Sequence, residues 1–467
     1  ARSGVNLSGG QLTVGTGVTI GIAGIATFRS GRIDVTDALF NTSIGGLAGD
    51  AHTTGYRNTV VGYNALSQNT TGHSNTAIGF QALNANTTTY HNVAVGRDAL
   101  KLATANDNVA VGAYALDANT TGTRNVGLGD NALGATTTGS QNTAVGGNNM
   151  QANTTGAYNT SVGSGALTAN TTADNNTAVG YLALTANTTG ASNTAVGRDA
   201  MNDNTTGSSN TAVGRNALDA NTTASSNTAI GYAALGANTT GATNTAVGHN
   251  AMFAMTTGDH NVAIGAQALE DNTTGTGNVA VGYDAMRIST TASYNTGLGF
   301  YALRANQTGS DNTAVGYRAL RYNTSNYNTA VGYEALLSNT TGNQNVAVGR
   351  GALYSNQSGV NNVAIGKHAL YNCTNSGNVA VGEYAGGAVT TGDSNIFIGK
   401  NCGGITNGVH CIMFGYDYTV GNQSNLIGFN NQSQTITVSG SAGSWNFSSD
   451  GRDKTDIVDL TLGLGFI

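Results

Sequence analysis

Hydrophobic and polar positions along the chain follow a 17-residue repeat. Residues 58–74 read N-T-V-V-G-Y-N-A-L-S-Q-N-T-T-G-H-S, and a near copy begins at Asn75. We number the first Asn of each unit as position 1. The glycine at position 5 then recurs from Gly45 to Gly399 in 21 steps, of which 18 are 17 residues long and three are 16 residues long. So strict a period indicates that each unit stacks on its neighbours with the same cross-section.

Each unit predicts one coil of a solenoid. The N-T-A-V stretch alternates small and β-branched side chains and predicts a short strand. Glycine at position 5 permits a turn where a Cβ would clash with the next coil. We expect a second short strand to carry Ala-Leu and to end near Asn-Thr-Thr, with Thr-Gly-x-x as the returning turn. The 16-residue units beginning at Asn92, Asn312 and Asn362 are interpreted as one-residue deletions in that returning loop.

Position 12 is asparagine in most units. Stacked asparagine amides can hydrogen-bond along the axis, so we expect a ladder there. The column is interrupted at Ala103, Thr136, Met255, Ser289 and Cys373. The same residues form N-x-Ser/Thr sequons, but the ladder explains their repetition without a glycan.

Composition supports an all-β fold with a polar surface. The 467 residues include 68 glycines and no proline, and only 9% are charged. Proline is excluded where nearly every backbone group joins a strand ladder. The net charge of −6 gives no basic stripe, so we expect no nucleic-acid partner. No run of 18 apolar residues occurs, so we also expect no membrane insertion.

The cysteines and histidines suggest neither a metal site nor a cofactor. Cys373, Cys402 and Cys411 have no C-x-x-C spacing, and the seven histidines are dispersed. We interpret the cysteines as buried or neutral thiols, with a disulfide between chains or a metal as alternatives.

A single coil of this composition has a thin core. Each unit offers about one Val or Ile, one Leu or Met and two or three Ala, which barely offsets the entropy of ordering the whole unit. Three-fold closure would let the Val or Ile of each unit meet its copies on a common axis. The predicted fold is therefore an all-β, parallel β-roll or β-helix solenoid of 17-residue repeats in an intertwined homotrimeric fibre, with a monomeric solenoid as the alternative.

The repeat core resembles that of trimeric autotransporter adhesin heads. The S/T-x-A-I/V-G-x-x-A pattern, as in residues 228–234, is similar to the adhesin motif, and the likeness covers about 41–428. The resemblance implies a left-handed parallel β-roll of three interlocked chains, adhesion and a bacterial outer-membrane anchor. The repeat unit of this chain is longer than the adhesin unit.

The ends of the chain differ from the array. Residues 12–21 and 26–35 alternate as strands and resemble the triple β segments of phage fibres. After the array, Gly415 and Gly428 mark two degenerate coils, and apolar side chains concentrate as expected of a cap. We divide the chain into an N-terminal β segment (1–40), the repeats (41–402), degenerate coils with a cap or neck (403–448) and a distinct terminal segment (449–467).

The terminal segment closely resembles the start of a C-terminal intramolecular chaperone. Residues 449–457 read S-D-G-R-D-K-T-D-I, similar to the S-D-x-R-x-K-x-x-I opening of that domain in endosialidase-type phage tailspikes and tail fibres. Only the start of the domain, 449–467, is recognisable. The resemblance implies trimer assembly followed by self-cleavage between Ser449 and Asp450, with Ser449 as nucleophile and Lys454 as base. The alternative is a polar turn at a domain boundary.

These observations favour a structural function. We expect the shaft of a phage tail fibre, located on the virion, that supports recognition of the host surface. Its partners would be two more copies of itself, other fibre or baseplate proteins, and a host receptor for which a glycan is one candidate. The alternative is a bacterial trimeric surface adhesin.

We do not expect an enzyme, apart from the single self-cleavage. A glycan-cleaving enzyme needs a cleft with paired carboxylates, whereas acids occur singly at position 7, which is interpreted as solvated surface. They include Asp98, Asp199, Asp284 and Glu334. The aromatic residues frequent at position 6 are interpreted as outer packing between coils, with stacking on sugars as the alternative.

Overall fold

The computed structural model of the chain describes residues 39–419, 422–424 and 426–430, and the backbone of residues 435–439. These residues form 25 strands and no helix. Strands β1 to β22 have three residues each, and only the last three strands are longer. The strands are β1 Thr42–Ile44, β2 Thr59–Val61, β3 Thr76–Ile78, β4 Val93–Val95, β5 Val109–Val111, β6 Val126–Leu128, β7 Thr143–Val145, β8 Thr160–Val162, β9 Thr177–Val179, β10 Thr194–Val196, β11 Thr211–Val213, β12 Thr228–Ile230, β13 Thr245–Val247, β14 Val262–Ile264, β15 Val279–Val281, β16 Thr296–Leu298, β17 Thr313–Val315, β18 Thr329–Val331, β19 Val346–Val348, β20 Val363–Ile365, β21 Val379–Val381, β22 Ile396–Ile398, β23 Ile412–Gly415, β24 Leu426–Asn430 and β25 Thr435–Ser439.

Each strand from β1 to β23 pairs in parallel with the next strand along the chain. Between β10 and β11, Thr194 faces Thr211 and Val196 faces Val213, one repeat further on. The same register continues without a slip from β1 to β22. One repeat is therefore one rung of a parallel β-solenoid, which confirms the predicted all-β solenoid of 17-residue repeats.

The second strand predicted in each rung is absent from the described residues. The Ala-Leu stretch forms a turn, in which Asn216 and Leu218 have φ of 57° and 51°. These left-handed angles lie outside the β region. The turns nevertheless stack, because the amide of Leu218 donates to the carbonyl of Ala234 in the next rung at 3.0 Å. The apolar pair is buried as expected, but in a turn.

The core lies inside the coil of a single chain. In the rung that contains β11, Ala212, Ala217 and Leu218 are fully buried, and the equivalent residues of the other rungs form one continuous cluster. Position 3 on the strand and positions 8 and 9 on the turn thus face each other across the coil. The narrow cross-section explains why two of these three positions are alanine.

Glycine at position 5 has the predicted role. Gly214 has φ of 140°, and a Cβ there would lie 2.3 Å from the carbonyl oxygen of Gly231 in the next rung. Equivalent glycines meet the same contact along the array. Only glycine fits this corner of the coil.

The predicted asparagine ladder at position 12 is confirmed. Asn204 donates from Nδ2 to Oδ1 of Asn187 at 2.8 Å, and Asn221 donates to Oδ1 of Asn204 at 2.7 Å. Asn204 also donates to the carbonyl of Gly207 at 3.0 Å, which closes the Thr-Thr-Gly turn of its own rung.

A second ladder, which the sequence analysis missed, runs along position 1. Asn210 is buried, and its backbone N–H donates to Oδ1 of Asn193 in the preceding rung at 3.0 Å. Its Nδ2 donates to the carbonyl of Ala224 at 2.8 Å, across the coil. Position 1 is therefore a buried, hydrogen-bonded corner that precedes the strand. The strand itself has three residues, whereas the N-T-A-V pattern predicted four.

The shortened rungs differ only in the returning loop, as predicted. Asn75 bonds to the carbonyl 14 residues ahead, Thr89, whereas Asn92 bonds to the carbonyl 13 residues ahead, Ala105. Asn312 and Asn362 also reach 13 residues ahead. The strand, the corner glycine and the inner turn are therefore unchanged.

The stack continues into the degenerate coils. Strands β22, β23 and β24 pair in parallel, and β25 then pairs antiparallel with β24. Phe397 and Met413 are buried where most other rungs have alanine at position 3. The proposed N-terminal segment, apart from residues 39 and 40, and the terminal segment 449–467 lie outside the described residues.

Candidate interaction surface

The outer face of the strands carries an apolar stripe. Position 4 is Val, Ile or Leu in every rung from β1 to β22, and none of these side chains is buried. Val213 is 36% exposed and Ile264 is 41% exposed. We call the position-4 residues from Ile44 to Ile398 the strand stripe. Its 22 members are spaced by one strand separation, about 4.8 Å, so the stripe is on the order of 100 Å long.

A patch of this kind is unusual on a monomer. Monomeric proteins rarely expose contiguous apolar patches larger than a few hundred Å². Position 2, the other outward position of each strand, is Thr, Val or Ile, so the whole face consists of β-branched side chains or leucine. The face has the chemistry of an interface and includes no charged residue from β1 to β22.

Position 6, just beyond the corner glycine, forms a column of stacked side chains. Tyr283, Phe300, Tyr317 and Tyr333 stack in sequence with ring centroids 5.2, 5.7 and 5.1 Å apart. Where a ring is followed by arginine, the guanidinium lies over the ring, as for Arg350 over Tyr333 at 5.5 Å. The interpretation as outer packing between coils is confirmed.

The same column becomes an ion ladder near its end. Glu383 lies between Lys367 and Lys400, with N to O distances of 3.1 and 3.2 Å. Hydrogen bonds from the two ammonium groups lower the pKa of Glu383. Rings and charges thus serve the same purpose, which is contact between successive rungs.

The acids at position 7 are not uniformly solvated, which corrects the sequence analysis. Asp98 and Asp284 are buried. Asp284 accepts from Nε of Arg304 in the next rung at 3.0 Å, and Lys101 lies 3.3 Å from Asp98. What distinguishes them from the half-buried position-7 residues is that each is paired with two cationic side chains.

Asp199 and Glu334 are also partly covered. Asp199 pairs with Arg198 at 2.9 Å and Glu334 with Arg318 at 3.2 Å. Pairing with a single cation indicates a structural role for these carboxylates.

All three cysteines are buried, and Cys373 and Cys402 are free thiols. Burial raises the pKa of the Cys373 and Cys402 thiols to about 11. Both therefore stay protonated at neutral pH, as expected of thiols inside the core. Cys373 occupies position 12, where its Sγ accepts from Nδ2 of Asn378 at 3.4 Å.

The predicted self-cleavage residues Ser449, Asp450 and Lys454 lie outside the described residues, as does the end of the expected cap at residues 440–448. In the described part of the chain, no cluster of three or more His, Cys, Asp or Glu side chains has metal-binding geometry. Within the same part, no helix could cross a membrane.

Comparisons of the chain with protein-family models, with curated proteins and with solved structures gave no match.

Proposed function

We propose that the chain is the shaft of a homotrimeric phage tail fibre, which holds a host-recognition surface away from the virion. The observation that carries the proposal is the strand stripe, an uninterrupted row of exposed or half-buried branched apolar side chains along every regular rung. A row of that length favours a partner with the same periodicity, and another copy of the chain has it.

Three copies would cover the stripe by packing strand faces around one axis. Each Val, Ile or Leu at position 4 would meet its equivalents in the other two chains, rung by rung. Burial of apolar surface contributes about 25 cal/mol of free energy per Å². Because every rung would add the same buried area, the stability of the interface would grow with the length of the array.

The rungs themselves would make the shaft stiff. The backbone ladder, the two asparagine ladders and the position-6 column all run parallel to the solenoid axis. Bending must stretch one of these rows, so a rod is the expected shape.

The assignment to a virion, rather than to a bacterial trimeric adhesin, rests on the chaperone-like motif at 449–457. That motif would also explain how three near-uniform arrays assemble in register. The partners would then be fibre or baseplate proteins at one end and a host surface receptor at the other.

The oligomeric mass tests the proposal. Light scattering on the purified chain should give three times the chain mass of 46.9 kDa, because an isolated chain would leave the strand stripe in water. Electron microscopy should show a rod on the order of 100 Å long for the array. A monomer at micromolar concentration would contradict the trimer.

Cleavage of the terminal segment is tested by mutation of Ser449. In a chain that carries a complete chaperone domain, intact mass spectrometry should find a shaft ending at Ser449. Ser449→Ala should abolish the cut by removing the nucleophile, and Lys454→Ala should do so by removing the base. Both variants should still form trimers, since assembly depends on the fold of the chaperone.

Ser448→Ala, one residue upstream, is the matched control and should be cut as the wild type is. A wild-type sample with only the full-length mass would show that this chain does not cleave itself.

A further inference from the structure

The outer surface of the solenoid is interrupted by a cleft at the rung 227–243. Positions 7 and 10 of this rung are Ala233 and Gly236, and no other rung from 41 to 410 has Ala or Gly at both positions. The two neighbouring rungs carry full side chains there, so one missing pair of side chains leaves a cleft of about 560 Å³. Small-molecule sites commonly have this size.

One wall of the cleft is polar. Asn216 and Asp219 line it from the preceding rung. Nδ2 of Asn216 donates to Oδ2 of Asp219 at 3.2 Å, and Nε of Arg215 donates to Oδ1 of Asn216 at 3.2 Å. These bonds fix the amide and leave the other carboxylate oxygen without a hydrogen bond to the described residues. Burial raises the pKa of the Asp219 carboxyl group, although the bond from Asn216 opposes the shift.

The opposite wall combines an aromatic ring with an amide. Phe253 and Asn250 line it from the following rung. A Cβ on Gly236 would lie 3.2 Å from two ring carbons of Phe253, so this glycine is what leaves the ring uncovered. Nδ2 of Asn250 donates to Glu270 at 3.1 Å, while Oδ1 is buried with no partner among the described residues.

Tyr232 closes one end of the cleft and is held from two sides. Its ring stacks on His249 at 5.3 Å and lies under the guanidinium of Arg215 at 5.9 Å. It belongs to the position-6 column, beyond the corner glycine, so the cleft lies past the turn that ends the strand face. Trimer packing through the strand stripe therefore does not require the cleft.

The lining indicates the chemistry of the ligand. A carboxylate accepts hydrogen bonds only, an amide both donates and accepts, and an aromatic ring offers an apolar surface. A ligand with several neighbouring hydroxyl groups and a C–H face satisfies all three. The carboxylate disfavours anions such as phosphate or sulfate esters.

We propose that this cleft binds one neutral hexopyranose unit of a glycan. The inference deepens the proposed function and rests on it for its biological meaning, because it places a receptor-binding site on the shaft itself. Asp219 accepts from two hydroxyl groups, the amide of Asn216 binds the next hydroxyl, and the C–H face packs on Phe253. No second carboxylate from the described residues lines the cleft, so the site binds the sugar without cleaving it.

Saturation-transfer NMR on the full chain tests the site. The probes are the methyl glycosides of glucose, galactose, mannose and N-acetylglucosamine. At least one should receive saturation from the protein. Ala233→Gln should weaken binding at least about tenfold, or about 1.4 kcal/mol, because the longer side chain fills the cleft. Gln81 and Gln267 occupy position 7 with φ of 56° and 60°, close to the 51° of Ala233, so the fold accommodates glutamine there.

Asn148→Gln, at position 7 of a rung without the cleft, is the matched control and should bind as the wild type does. Asp219→Asn should also weaken binding about tenfold. Absence of transfer to all four sugars, or equal binding by Ala233→Gln and the wild type, would overturn the site. The oligomeric mass of each sample separates the two proposals. A trimer that binds no sugar would refute only the sugar-binding site, and a monomer that binds sugar would refute only the trimeric shaft.

Discussion

Gly214→Ala should be among the most destabilising single substitutions in the array. The new Cβ would lie 2.3 Å from the carbonyl oxygen of Gly231, which cannot move without opening the next rung. It would also force alanine to φ of 140°, which only glycine adopts at low cost. We expect a loss of about 4 kcal/mol or more in the free energy of unfolding. Thermal unfolding followed by circular dichroism should show a lower and broader transition, because the defect divides the array into two shorter stacks.

Gly147→Ala is the matched control. Gly147 lies at position 6, and a Cβ there would meet no atom within 4 Å. Its melting temperature should stay close to that of the wild type. If Gly214→Ala had the same melting temperature as Gly147→Ala, the close contact between successive corner glycines would not determine the stability of the fold.

Aspartate in the strand stripe should disrupt the trimer without unfolding the chain. Val213 is 36% exposed on a single chain, so an isolated solenoid tolerates a carboxylate there. In a trimer, three carboxylates would be buried near one axis, which should cost several kcal/mol through desolvation and repulsion. The triple variant Val179→Asp, Val213→Asp and Val247→Asp places the charges on alternate rungs, which limits repulsion within each chain. We expect light scattering to show monomers for the triple variant and a less stable trimer for Val213→Asp.

The matched control is Thr206→Asp, which adds the same charge at an exposed position of the returning loop. It should leave both the mass and the melting temperature unchanged. Asp199→Asn would be a poorer control, because Asp199 pairs with Arg198. A triple variant that remains trimeric would show that the strand stripe is not the interface.

The period and the corner glycine made most of this fold predictable from the sequence. A glycine that recurs at one position can be required only by a contact that recurs, and Gly214 and its equivalents have that contact. The ladder at position 12 was predictable for the same reason.

Other features depend on backbone geometry that the pattern does not contain. Ala217 and Leu218 form a buried pair that could lie on a strand or on a turn, and only the left-handed φ of Leu218 distinguishes the two. The burial of Asp284 depends on arginines at other positions, namely Arg287 and Arg304.

The ladder at position 1 had a signal that was overlooked. Asparagine occupies this position in every rung from Asn41 to Asn395, whereas the position-12 column is interrupted. An unbroken column of one polar residue at the start of a strand indicates a buried bond that other residues cannot make. The cleft at Ala233 and Gly236 also had a signal, since small residues at both surface positions remove a pair of side chains. The residues that line it come from the neighbouring rungs, and their positions depend on how the rungs stack.

The uniform register between rungs makes the length of the solenoid adjustable in whole units. Removing one complete unit, from Asn193 to Ser209, would bring Asn176 of the preceding rung against Asn210. The strand pairing and the position-1 asparagine bond would then form again between the two rungs. The solenoid would shorten by about 4.8 Å, and the two rungs brought together would pair in the same register as before. Genetic recombination between neighbouring repeats could therefore change the length of the solenoid by one rung at a time while preserving its fold.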